Sequence, residues 1–118
     1  MSAHPFRVLL HLGRDRRRAV DPDAIYFLEA VGETTLVRLR SARRLRDDRA
    51  LGDLLEQIPK AAFVRVHRNH AVNAQHVLEV RRRAAQKDWE VKLAPPVNRV
   101  LPVGRTHLRH LWAAFGER

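Results

Sequence analysis

Apolar residues in this chain come in short alternating runs, and only one internal stretch breaks that alternation for a helical spacing. This patterning limits the fold more than any other feature. In TLVRLRS (35–41), Val37 and Leu39 fall on one face and Leu36, Arg38 and Arg40 on the other, the period of a half-buried strand. FRVLLHL (6–12), FVRVHR (63–68), VLEVRRR (77–83), WEVKLA (89–94) and NRVLPV (98–103) also read as strands, with Trp89, Val91 and Leu93 opposed to Glu90 and Lys92. IYFLEAV (25–31) is apolar on both faces, which predicts a strand buried on both sides. Asp21-Pro22-Asp23, Gly32-Glu33-Thr34, Gln86-Lys87-Asp88 and Pro95-Pro96-Val97 separate these runs as connections.

The exception is Leu51, Leu54, Leu55 and Ile58, spaced i, i+3, i+4, i+7 as one face of a helix. Asp47 or Asp48 is placed to cap it and Pro59 to stop it. From Thr106, Leu108, Leu111, Trp112 and Phe115 share a second helical face, with Trp112 and Phe115 expected in the core. The prediction is an all-β fold of about seven to ten short strands with two short helices. Alternating βαβ units are absent, which disfavours a parallel α/β sheet.

The 118 residues suit a single domain over residues 6–118, with residues 1–5 as a flexible N-terminus. There is no apolar run of the ~18 residues a membrane helix needs, and the N-terminal stretch lacks a signal-peptide pattern. Without cysteine there is neither a disulfide framework nor thiolate chemistry. The expectation is a cytoplasmic protein without membrane insertion and without a cofactor.

Charge narrows the partner. The formal net charge is +10, and twenty of the 23 Lys+Arg residues are Arg. A GC-rich genome raises Arg usage by itself, but the sign of the charge points to a polyanion, with nucleic acid preferred over a membrane surface. The segment FVRVHRNHAVN (63–73) concentrates Arg65, His67, Arg68, Asn69, His70 and Asn73. It reads as a strand, followed by a turn at Asn73. The guanidinium fork matches phosphate, or the O6/N7 edge of guanine, with two hydrogen bonds.

Catalysis finds no support. The five glycines are scattered singly and form no phosphate loop. Ser2 and Ser41 lie in a terminus and a basic strand, without a companion base. His67 and His70 would point to opposite faces of a strand, and His107 and His110 have no carboxylate or thiolate nearby to complete a metal site. HRNH is similar to part of the HNH nuclease motif, but the rest of that motif is missing. Arg81-Arg82-Arg83 reads foremost as a charged strand edge that discourages further pairing. Arg14 to Arg18 and the cluster Arg38, Arg40, Arg43, Arg44 and Arg46 add long-range attraction rather than base contacts.

In order along the chain, DPDAIYFLEAVGETTLVRL (21–39), LGDLLEQIP (51–59), FVRVHRNHAVNAQHVLEV (63–80) and RVLPVGRTHLRHL (99–111) resemble the LytTR DNA-binding domain of bacterial response regulators. The resemblance runs from about Phe6 onward. It implies an elongated arrangement of small antiparallel sheets and a transcription regulator that binds short direct repeats in double-stranded DNA through loops set into successive major grooves. It implies base contacts from Thr35, Arg68, Asn69 and Arg105, and phosphate contacts from Arg38, Arg65, His70 and Asn73. Two departures stand out: Asn69-His70 replaces the usual Ser-aromatic pair, and Gly104 replaces a Ser before the corner Arg. Members usually carry an N-terminal receiver; none lies in these 118 residues, so the chain is a stand-alone regulator or part of a longer one.

A homodimer on tandem sites and a regulatory protein partner are further expectations. The rival from another class is a protein-interaction module, docking a partner through the closing helix or an edge strand. RNA binding is a third reading, opposed by the absence of interleaved exposed aromatics, since Tyr26, Phe27 and Trp89 read as buried.

Overall fold

A computed structural model describes residues 6–59, 62–83 and 88–117. The five residues expected to be flexible lie outside these. The described residues form β1 (Val8–His11), β2 (Arg17–Val20), β3 (Ile25–Val31), β4 (Thr34–Leu39), β5 (Arg44–Asp47), α1 (Leu51–Glu56), β6 (Phe63–His67), β7 (His70–Asn73), β8 (Val77–Arg82), β9 (Trp89–Leu93), β10 (Val100–Val103) and α2 (Leu108–Ala114). Short 3-10 turns occupy Pro22–Ala24, Ala74–His76 and Arg105–His107. The strands build three antiparallel sheets, ordered β5-β4-β3-β7-β6, β10-β9-β8 and β1-β2. The molecule measures 47 × 33 × 25 Å, the elongated all-β form with two short helices that the alternation predicts.

The five-stranded sheet lies between two cores. Ile25, Leu28, Val37, Leu39, Phe63 and Ala71 face a core completed by β1, β2 and α1. Tyr26, Phe27, Val64, Val66 and Val72 face the other, completed by β9, β10 and Leu111. A bulge makes this division possible in β3. The register passes from Ile25 opposite Leu39 to Phe27 opposite Arg38, so Tyr26 is an extra residue. Tyr26 and Phe27 therefore turn to one core while Ile25 and Leu28 turn to the other, and all four are buried. Each such side chain contributes roughly 1.5–3 kcal/mol by leaving water.

Several local expectations need correction. Arg17–Val20 is a strand despite its charge: it pairs with β1 and buries only Val20, so its arginines face solvent. Arg44–Asp47 is likewise a strand, supported by the same outward-Arg alternation. The chain turns first at Arg68–Asn69, which lets His70–Asn73 fold back on β6. It turns again at Asn73, whose side chain accepts from the Gln75 N–H and caps a 3-10 turn. Neither Asp47 nor Asp48 caps α1. Its N-cap is Ala50, without a side-chain hydrogen bond. At the C-terminus Leu111 is buried, but Trp112 is only half-buried, standing edge-on to Trp89 at 5.0 Å. Trp89 is also half-buried rather than enclosed. Phe115 lies beyond the last helical residue and is 46% exposed.

Candidate nucleic-acid interface

Strand direction gathers the reading loops. β3 runs toward the Gly32–Glu33 turn, where Gly32 takes φ +59, a left-handed conformation that glycine adopts without a Cβ clash. β7 runs antiparallel to β3, with His70 opposite Glu29. The Ala30 N–H donates to the Asn69 carbonyl at 2.8 Å. The Arg68–Asn69 turn therefore lies at the same end of the sheet as the Gly32–Glu33 turn. The closing corner joins them because the Gly104 N–H donates to the Val66 carbonyl at 2.7 Å. A Cβ on Gly104 would stand 3.3 Å from His107 Cδ2 and 3.9 Å from His67 Cδ2. Glycine at the usual Ser position thus accommodates the close approach of His107.

Arg68, Asn69 and Arg105 are exposed at this end. Among the described residues, neither guanidinium makes a hydrogen bond or ion pair. The turn beneath Arg68 is firmly held. Arg65 donates from Nε to the His67 carbonyl at 3.2 Å and from Nη2 to the Arg68 carbonyl. The Asn69 N–H donates to His67 Nδ1 at 3.1 Å. His70 Nε2 meets Glu29 Oε2 at 3.1 Å across the β3–β7 pair.

Two histidines have depressed pKa values. For His67 the causes are burial, then the nearby His70, Arg68, His107 and Arg65. For His107 they are burial, then Arg65 and His110. Both effects disfavour the charged imidazolium. Neutral His67 can therefore accept the Asn69 N–H.

Other expected contact residues serve the scaffold. Thr35 has no exposed surface; its hydroxyl donates to the Arg49 carbonyl at 2.9 Å. It cannot reach a base while this packing persists. Asn73 is 1% exposed, and its amide donates to the Pro22 and Ile25 carbonyls at 3.1 and 3.0 Å. In this arrangement Asn73 is a scaffold residue. Arg65 and His70 are braces, although Arg65 Nη1 makes no hydrogen bond. Arg38 is half-buried, with Nε directed to the Leu39 carbonyl.

The alternation pattern did not reveal the network around Thr35. Asp47 is fully buried and accepts from Arg49 Nε and Nη2 at 2.9 and 2.8 Å, and from the backbone N–H groups of Arg49 and His11, each at 2.9 Å. Arg49 Nη2 also donates to the Leu9 carbonyl at 2.9 Å. Burial alone would raise the Asp47 pKa, but these hydrogen bonds and the Arg49 charge outweigh it and lower the value. The Asp-x-Arg spacing was the available signal. Glu29, the partner of His70, left none beyond its place at a strand end.

Elsewhere, Arg81 lies on β8, an edge strand, and meets Glu90 at 3.0 Å and Glu79 at 3.8 Å. Arg40 and Arg99 stack over Tyr26 and Phe27 at 5.4 and 5.5 Å. No group of three potential metal ligands occurs among the described residues.

A stiff sheet that presents unpaired arginines from adjoining loops, on a chain of charge +10, has the character of a polyanion-binding domain. The family model of the LytTR DNA-binding domain matches residues 15–116, and the chain belongs to that family. It is a DNA-binding domain. A solved structure has the same fold: the LytTR DNA-binding domain of a protein described as a methyl-accepting/DNA response regulator from Bacillus cereus. It is 19% identical, covers 96% of this chain and 99% of its own, and has a TM-score of 0.74. No curated protein sequence matches the chain.

Proposed function

We propose that this domain regulates transcription by reading short direct repeats in duplex DNA, with Arg68, Asn69 and Arg105 meeting base edges in successive major grooves. The observation that supports it best is the placement of two guanidinium groups unpaired among the described residues, one on the turn that follows β6 and one on the corner whose Gly104 N–H bonds to β6. Arg38 contacts phosphates beside them, while Arg65 and His70 hold the turn. Such contacts fix register while the arginine-to-guanine pairs carry sequence. The exposed turn residue Glu33 and the half-buried Thr34 at the start of β4 take the place of Thr35 at the third loop. Two copies on adjacent repeats would occupy one promoter, and bending of the duplex would add indirect readout.

The test begins with selection of a binding site from random duplexes. Arg105→Ala should then weaken the selected site by about tenfold to a hundredfold relative to random duplex. Arg46→Ala, an exposed change on β5, should weaken both alike. Equal losses from the two variants sink the assignment. Neutralisation of about six phosphates would lower affinity on the order of 10³-fold between 50 and 200 mM salt.

A further inference from the structure

We infer that the cleft between α1 and α2 binds a compact amphipathic organic anion, and that Arg65 transmits its occupancy to the Arg68–Asn69 turn. The cleft has a volume of about 640 Å³, within the range that encloses a small molecule. Its apolar walls come from Leu55 and Ile58 on and after α1, Phe63 and Val64 on β6, and Ala113 and Ala114 on α2. Such walls favour an apolar ligand body. The polar lining is Glu56, Arg65 and His110. Among the described residues, Arg65 Nη1 makes no hydrogen bond, and it lies 3.9 Å from where a Cβ on Gly52 would stand. An anionic head satisfies that donor, aided by the +10 charge of the whole chain. Glu56 opposes the anion, so its removal should strengthen binding.

The location gives the cleft a consequence. Its floor is β6, the strand that leads into the Arg68 turn, and one wall is α2, which follows the Arg105 corner. Arg65 lines the cleft and simultaneously holds the His67 and Arg68 carbonyls. A ligand that draws its guanidinium inward competes with those bonds and loosens the turn. This consequence rests on the proposed DNA reading; ligand binding itself does not.

The probe is 8-anilinonaphthalene-1-sulfonate, an aromatic anion that fluoresces in apolar surroundings, with neutral N-phenyl-1-naphthylamine as comparator. The anion should bind with a stoichiometry of one and about tenfold more tightly than the neutral probe. Ala113→Trp, a filling change at an exposed position, should weaken the anion by about tenfold or more while leaving DNA affinity intact. Glu56→Gln should tighten it severalfold. Saturating anion should lower affinity for the selected duplex severalfold in the parent chain and have no effect in Ala113→Trp. Equal affinity for both probes, or anion binding unaffected by Ala113→Trp, overturns the site. So does sedimentation showing that Ala113→Trp converts a dimer to a monomer, because the cleft would then hold a second copy. Anion binding without an effect on DNA overturns the coupling. Absence of any preferred duplex would defeat the DNA reading, leaving the fluorescence result to stand or fall by itself.

Discussion

Arg49 and Arg68 have the same side chain and opposite employment. Arg49 is folded onto the buried Asp47 carboxylate and the Leu9 carbonyl, its side chain only 19% exposed. Arg68 stands at the tip of a turn, exposed and unpaired among the described residues. The first ties β1, β5 and the approach to α1 into one scaffold; the second leaves its donors available to an incoming partner. An Arg-rich composition therefore contains at least two populations, and the carboxylate inventory separates them. The difference predicts that changes at the Asp47 network alter stability without altering DNA preference, while changes at the turn do the reverse.

The largest effect should come from Asp47→Ala. It leaves the Arg49 charge and the His11 N–H without their buried acceptor. Breaking such a pair costs about 3–5 kcal/mol. Urea denaturation should show that loss, while the folded fraction keeps its ranking of duplex sequences. A changed ranking at unchanged stability would mean that the network belongs to the interface rather than the scaffold.

Arg68→Ala comes next and tests the other half of the contrast. No described residue pairs with its guanidinium, so the thermal midpoint should remain within about 2 °C, the scale of an ordinary surface change. Discrimination between selected and random duplex should fall by about 1–3 kcal/mol. Arg49→Ala provides the inverse profile. If Arg68→Ala unfolds the domain instead, the turn is a structural element and the two arginines are alike.

How much of this was legible in the sequence follows from the same distinction. Alternation identified β4 because Thr35, Val37 and Leu39 point into a core while Arg38 points out. It missed β5 and β2 because four-residue strands rich in exposed Arg bury too few apolar side chains to stand out. Arg68 and Arg105 are exposed on loops, as the family resemblance implied, and side-chain type matched position. Thr35 and Asn73 are buried in the scaffold for a reason local pattern does not hold. Their partners, Arg49, Pro22 and Ile25, are 14 to 51 residues distant in sequence. The capping role given to Asp47 failed similarly, because a helix start and a buried carboxylate network both use an Asp just before an apolar run.

Thr35→Val sharpens the contrast at a smaller scale. The substitution keeps the shape and removes the hydroxyl that donates to the Arg49 carbonyl. A net loss of about 1 kcal/mol is expected from one such hydrogen bond. Sequence preference should be unchanged, measured by competition between the selected duplex and single-base variants. A specific loss at one base pair would return Thr35 to the reading surface and require the β3–β4 turn to open on DNA.

The smallest effect is set by pH at the join between scaffold and turn. His67 accepts the Asn69 N–H through Nδ1, and burial with the surrounding cationic groups lowers its folded pKa below the ordinary value of 6.5. His107 is shifted the same way. The unfolded chain therefore takes up these protons first as pH falls. The stability contributed is complete above about 6.5 and declines as pH falls through that value toward the lower folded pKa. Protonation at Nδ1 also removes the acceptor beneath Asn69, while the added charge strengthens attraction to any phosphate. Acidification should thus raise affinity for random duplex and narrow the margin of the selected site, the two changes having opposite signs. Proton NMR of the His67 ring should give a midpoint below 6.5, and paired binding titrations at pH 7.5 and 5.5 should show the narrowing. A midpoint above 6.5 in the free domain would mean that carboxylates, Glu29 foremost, dominate the field at this turn rather than its arginines.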